Sequence, residues 1–205
     1  MTRVKMCGIT RPQDALAAAN SGADAIGLVF YAKSPRNVDL DQASSIARTL
    51  PPFVSSVALF VNPQPDEVRA VLRQVRPDVL QFHGEEPPEF CRGFGVPYLK
   101  AARVRPGTDL LQFAALYADA QGILLDAWNE SAHGGTGECF DWNLIPANLP
   151  KPIILAGGLN PGSVRRAIES VHPWAVDVSS GIEQAKGIKD AALIAAFMKE
   201  VENAV

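Results

Sequence analysis

Residues 152–181 read PIILAGGLNPGSVRRAIESVHPWAVDVSSG, two apolar runs, each closed by small residues, with a different pattern between them. The first run, PIILAGG (152–158), is near-continuously apolar, as a strand covered on both faces should be. In PGSVRRAIESV (161–171) the apolar residues stand three and four apart with charges opposite, the signature of an amphipathic helix. Asn160 reads as its N-cap and Pro161 as its first helical position. The second run, WAVDVSSG (174–181), then returns as a further buried strand. Strand, helix and strand make one βαβ unit.

Working outward, six more runs of the same kind precede it. They are VKMC (4–7), DAIGLVF (24–30), SSVALFV (55–61), DVLQF (78–82), VPYLKAA (96–102) and GILLDA (122–127). Helix-like segments separate most of them: PQDALAAANSG, which starts with Pro12 and stops at Gly22, then DLDQASSIARTL and PDEVRAVLRQV. DAALIAAFMKEVENAV closes the chain with the strongest helical pattern. Strand ends recur at intervals of roughly 20–30 residues, the size of a βα unit. A solenoid would share such a period but shows no repeat signature here. An open doubly wound sheet would more often use five to seven strands. Eight alternating units predict an α/β protein with one domain over residues 1–205, a compact (β/α)8 TIM barrel.

The totals narrow the function. Lys and Arg number 19 against 22 Asp and Glu, so no electrostatic footprint for nucleic acid or an anionic membrane exists. No apolar run approaches the ~18 residues that would span a bilayer. Cys7, Cys91 and Cys139 are odd in number and widely spaced, without a CxxC pair, and His83, His133 and His172 are scattered. Neither a disulfide framework nor a metal site follows from that pattern. With no signal-peptide pattern at the amino terminus, a reduced, cytoplasmic enzyme acting on a small molecule is expected, as a monomer or a homodimer.

Barrel chemistry collects at the carboxyl ends of the strands. Those ends supply Cys7, the loop after Phe30, His83, Asp126, Gly157–Gly158 and Ser179–Ser180–Gly181. Period-two alternation puts Arg3, Lys5 and Cys7 on one face of the first strand. Cys7 alone could be a small core hydrophobe. Lys5 speaks against that, because a lysine inside the barrel needs a partner and its charge favours a nearby thiolate. Asp177 is the favoured partner, with Asp126 the alternative. Asp126 ends the run GILLD, where an unpaired carboxylate would be costly to bury, so it reads as a salt-bridge partner, a cap, or an acid facing Cys7.

Glycines after the seventh and eighth strands, Gly157, Gly158 and Gly181, leave backbone N–H groups uncovered beside a helix start, the usual phosphate position in barrels. Arg36, in KSPRNV and stiffened by Pro35, is either a solvated surface residue or a fork for a planar carboxylate. HGGTG (133–137) suits a cover over the site or a flexible connection. Cys91 and Cys139 read as structural.

VKMCGIT, SPRNV, QFHGEE, LLDA with GGTGECFDW, LAGGLNP and DVSSGIE, in this order, resemble the phosphoribosylanthranilate isomerase family of tryptophan biosynthesis. The likeness covers essentially the whole chain; Met6 and Phe82 are small departures from the family's usual residues. It implies an Amadori rearrangement of an aminoaldose phosphate without cofactor or metal. Asp126 would be the general acid that opens the sugar ring, and Cys7 the general base that takes the proton from carbon 2. Arg36 would hold the anthranilate carboxylate; Gly157, Gly158, Ser180 and Gly181 would hold the phosphate. Competing readings are the sister isomerase of histidine biosynthesis, which has an aspartate where Cys7 stands, and a barrel that binds a phosphosugar without converting it.

Overall fold

The computed structural model describes residues 2–127 and 141–204. Eight parallel strands close into a barrel in chain order: β1 (Arg3–Cys7), β2 (Ala25–Phe30), β3 (Ser55–Phe60), β4 (Val79–Phe82), β5 (Tyr98–Val104), β6 (Gly122–Ala127), β7 (Ile153–Leu155) and β8 (Ala175–Val178). β8 closes onto β1, with Lys5 in register with Asp177. The (β/α)8 expectation holds in strand number, order and direction. Only the strand ends move: β5 runs on to Val104, while β7 stops at Leu155 and leaves Ala156–Gly158 as loop.

The helices are α1 (Pro12–Asn20), α2 (Leu40–Ala47), α3 (Pro65–Gln74), α4 (Pro88–Cys91), α5 (Leu110–Leu116), α6 (Val164–Val171) and α7 (Ala191–Glu202). Local chemistry starts them. Pro12 opens α1, the Asp39 carboxylate accepts from Gln42 N at 2.8 Å before α2, and Gln64 and Glu67 form a capping box on α3. Asp190 accepts from Ala192 N and Leu193 N at the start of α7. Between β6 and β7 the described residues contain only a 3₁₀ turn, Trp142–Leu144. The HGGTG stretch and Cys139 lie outside the described residues.

One expectation shifts. α6 begins at Val164 with Ser163 in the cap position, three residues after Pro161. The Asn160 side chain accepts from Gly162 N at 2.8 Å, closing a separate turn over residues 160–163 before the helix proper. Asn160 therefore caps a turn, and that turn feeds the helix.

Most of the core lies between the strands and the helices. Val4, Met6, Ile26, Leu28, Ala58, Phe60, Leu80 and Phe82 belong to this layer. Met6 and Phe82 are both completely buried in it, and Phe82 packs against the rings of Phe60, Phe90, Phe94 and Tyr98. Burying one such ring contributes on the order of 2–3 kcal/mol. The alternate positions face the barrel interior, which holds two small apolar clusters, one around Ala101, Leu124, Ile154 and Ala175 and one around Cys7, Val29 and Leu59. After β8 a 3₁₀ turn (Ser180–Ile182) leads into a two-stranded antiparallel hairpin, β9 (Glu183–Ala185) and β10 (Ile188–Lys189), which the sequence patterns do not announce.

Candidate active site

At the carboxyl ends of the strands lies a hollow of about 410 Å³. Its walls include Cys7, Arg36, His83, Asp126, Gly157, Gly158, Asp177, Ser179 and Ser180. Of the catalytic and substrate-binding residues expected from the sequence, Gly181 alone stays off this wall; it packs against the Leu159 carbonyl and ties the loop after β8 to the loop after β7. These wall residues come from the ends of six strands, with the loops that follow them, and so meet around one space.

Cys7 is buried at the exit of β1. Its neighbour across the sheet is Gly27, where any side chain would begin 2.7 Å from the Cys7 sulfur; the missing Cβ is what gives the thiol its place. Below it, Lys5 Nζ donates to Asp177 Oδ2 at 2.8 Å, with both side chains buried. Asp177, and not Asp126, is the partner of Lys5. Burial disfavours the Lys5 ammonium, but the charges of Asp177 and Cys7 outweigh it and hold the lysine pKa above its usual value. For the thiol the balance falls the other way. Burial pushes Cys7 up, and the opposing pull of Lys5 does not overcome it. The sequence reading had Lys5 favouring the thiolate. It does, but desolvation is larger and the Asp177 charge counters it.

Asp126 occupies the last inward position of β6, one residue before the strand ends. Its Oδ1 accepts from Ala127 N at 2.9 Å. Its Oδ2 lies 3.1 Å from His83 Nε2, and His83 Nδ1 lies 3.0 Å from Gln81 Nε2. With the Gln81 amide donating to Nδ1, the ring proton sits on Nε2 and is donated to Asp126. His83 emerges from the strand-end reading with no role attached; the fold makes it the group that orients Asp126. The loop carrying it is anchored from behind. Lys100 Nζ, in the outer layer, donates to Glu86 Oε2 at 2.8 Å and to the Gly84 carbonyl at 2.6 Å, and Glu86 accepts from Asn62 N and Gly84 N. This accounts for Glu86, the last residue of QFHGEE.

Arg36 is not a solvated surface residue. Its Nε and Nη2 donate to Glu183 Oε1 and Oε2 at 2.7 and 2.8 Å, a bidentate pair with both side chains largely buried. Lys189 Nζ also donates to Glu183 Oε1, at 2.9 Å, and to the Ser179 carbonyl at 3.0 Å. Burial raises the Glu183 pKa, yet the two cations override it and hold the carboxyl below its ordinary value. Gly8 lets Arg36 lie there. Its φ is +73°, and a Cβ would stand 2.3 Å from Arg36 Cδ.

Glu183 and Lys189 are the site residues that sequence reasoning missed. Glu183 was visible as the last letter of DVSSGIE, but nothing local says that it reaches the loop after β2. Cys91 is buried in the outer layer, where desolvation lifts its thiol to about 12. Among the described residues no group of three or more His, Cys, Asp or Glu is arranged to hold a metal ion. No helix among them is long and apolar enough to cross a membrane.

A closed barrel with an acid, a thiol and two glycine-rich loops facing one hollow defines a barrel enzyme of the phosphosugar-handling kind. The family model described as N-(5'-phosphoribosyl)anthranilate (PRA) isomerase matches residues 4–200, and the chain belongs to that family of isomerases. It is 58% identical over 199 residues to an N-(5'-phosphoribosyl)anthranilate isomerase of Nitrosospira multiformis, covering 97% of this chain and 96% of the relative. It also superposes on a phosphoribosyl anthranilate isomerase solved in complex with reduced 1-(o-carboxyphenylamino)-1-deoxyribulose 5-phosphate (TM-score 0.88, 42% identity, 99% and 100% of the two chains). Monomers generated from a dimeric Thermotoga maritima enzyme of this kind superpose with TM-score 0.86 at 40% identity, over 99% and 100% of the chains.

Proposed function

We propose that the chain isomerises N-(5-phosphoribosyl)anthranilate to 1-(2-carboxyphenylamino)-1-deoxyribulose 5-phosphate, in tryptophan biosynthesis. The observation that carries this reading is that Cys7 and Asp126, from β1 and β6, line the same hollow as the glycine-rich loops after β7 and β8. Asp126 gives its proton to the furanose oxygen as the bond from that oxygen to carbon 1 breaks, and the nitrogen lone pair forms an iminium. Cys7, as thiolate, takes the proton from carbon 2. The released electron pair forms the double bond between carbons 1 and 2 and neutralises the iminium nitrogen. The resulting enolamine tautomerises to the ketone. Positioned acids and bases of this kind contribute about 10²–10⁴-fold each.

Backbone groups around Gly157, Gly158, Ser180 and Gly181 hold the phosphate, and Arg36 holds the anthranilate carboxylate, so both ends of the substrate are fixed and carbon 2 is presented to the sulfur. The nitrogen of the substrate is the electron sink, so the proposed sequence calls on no cofactor. The cytoplasm, where the thiols would stay reduced, is the proposed location. The test is consumption of phosphoribosylanthranilate, generated from anthranilate and phosphoribosyl pyrophosphate and followed by its fluorescence. Decay well above the buffer rate supports the reading; decay at the buffer rate leaves only a phosphosugar-binding barrel.

For assembly we propose a homodimer. Phe53 is fully exposed on left-handed backbone at φ 73°, beside a second hollow of about 780 Å³ lined by Arg48, Pro51, Pro52, Val54 and Arg73. An isologous pair would bring each Phe53 to the hollow of the other copy, the patch being common to both.

A further inference from the structure

Arg36 presents two forks, and the protein itself occupies one of them. The Nε edge is taken by Glu183. The end-on edge, one N–H from each Nη, has no partner among the described residues, and Arg36 lines the hollow. A guanidinium whose side edge is clamped can turn its end-on edge only one way. Charge points in the same direction. Arg36 and Glu183 alone would be neutral and would attract no anion; Lys189, buried against Glu183, leaves the cluster with one net positive charge. The hairpin carrying Lys189 is in turn pinned to the barrel. Lys189 N donates to Asp14 Oδ2 at 3.2 Å, and the Thr10 hydroxyl donates to the Gly187 carbonyl.

We infer that Glu183, held by Lys189, is a positioning residue for recognition of the substrate carboxylate: it clamps the Nε edge of Arg36 so that the end-on edge forms a bidentate fork facing the hollow. β9 and β10 then serve specificity, although neither hairpin strand supplies a group to the reaction. This rests on the reading of Arg36 as the carboxylate anchor.

The experiment measures binding by titration calorimetry of two probes. One is reduced 1-(o-carboxyphenylamino)-1-deoxyribulose 5-phosphate; the other is its phenyl counterpart without the carboxyl group. The wild type should prefer the carboxylated probe, and Glu183→Gln should narrow that preference about tenfold, as a loosened bidentate contact would. In an Arg36→Met background the same Glu183→Gln change should alter the preference by less than about twofold, because the fork it aims is gone. An undiminished preference in Glu183→Gln, or equal narrowing with and without Arg36, overturns the inference and leaves the carboxylate anchor standing. No preference in the wild type overturns the anchor and the inference together. Should Glu183→Gln melt too low to be measured, Glu183→Asp, one methylene short, carries the test with the same expected narrowing.

Discussion

Lys5 Nζ and Asp177 Oδ2 meet at 2.8 Å across the seam where the first strand joins the last, directly beneath the Cys7 thiol. The pair explains how a lysine can stand in the barrel interior, and it also limits what the lysine can do for the sulfur. Its charge is largely answered by Asp177, so burial decides the thiol and moves it upward.

The pH profile should show this. The active form of Cys7 is the thiolate, and its pKa in the folded protein lies above the ordinary value of about 8.5. The rate at which iodoacetamide inactivates the enzyme, which reads the thiolate alone, should therefore rise with pH through neutrality and go on rising past pH 8.5, whereas kcat/KM also carries the opposite requirement that Asp126 be protonated. Inactivation that levels off below pH 7 would mean that the thiol is not raised. Cys7→Ser should cut kcat by about 10²–10⁴-fold with KM little changed.

Asp126 and His83 should separate by magnitude. Asp126→Asn removes the proton donor and should lower kcat by about 10²–10⁴-fold. His83→Asn leaves the acid but frees its orientation, with an expected loss on the order of tenfold in kcat. Steady-state kinetics reads both, and equal losses would move His83 from orienting the acid to sharing its chemistry.

Gly8→Ala tests the bed on which Arg36 lies. The new methyl would stand 2.3 Å from Arg36 Cδ and would require left-handed backbone at φ +73°. Stability should fall by about 1–2 kcal/mol, seen as a lower urea midpoint, and KM should rise more than kcat falls. A variant with unaltered KM would show that Arg36 can bind from elsewhere.

Phe53→Asp should convert a dimer to a monomer in sedimentation velocity while leaving turnover per chain within about twofold, since Phe53 does not line the active-site hollow. A wild type that sediments as a monomer at all micromolar concentrations would dismiss the assembly.

The barrel was readable because its signal is repeated. Each barrel strand is an apolar run covered on both faces, and every helix start but that of α6 carries a proline or a capping side chain, so GILLDA is found to the residue. The strand-end residues followed from that frame alone: Cys7, His83, Asp126, Gly157, Gly158 and Ser180 all reach the hollow. What stayed hidden was long-range and polar. The bond between Arg36 and Glu183 spans 147 residues, and that between His83 and Asp126 spans 43. No local pattern encodes which loop leans on which. The sign of the Cys7 shift was hidden for a related reason: desolvation depends on packing from every side, and a sequence shows only neighbours along the chain. The start of α6 slipped because an Asn-Pro-Gly turn and a helix N-terminus use the same letters.

The thiol sits on the opening strand, whereas Lys189, near the far end of the chain, braces the loop that carries Arg36. The site is therefore incomplete until the chain has been synthesised through Lys189. Recovery of turnover during refolding would time the docking of the last segment onto the first, and the enzyme carries its own clock for barrel completion.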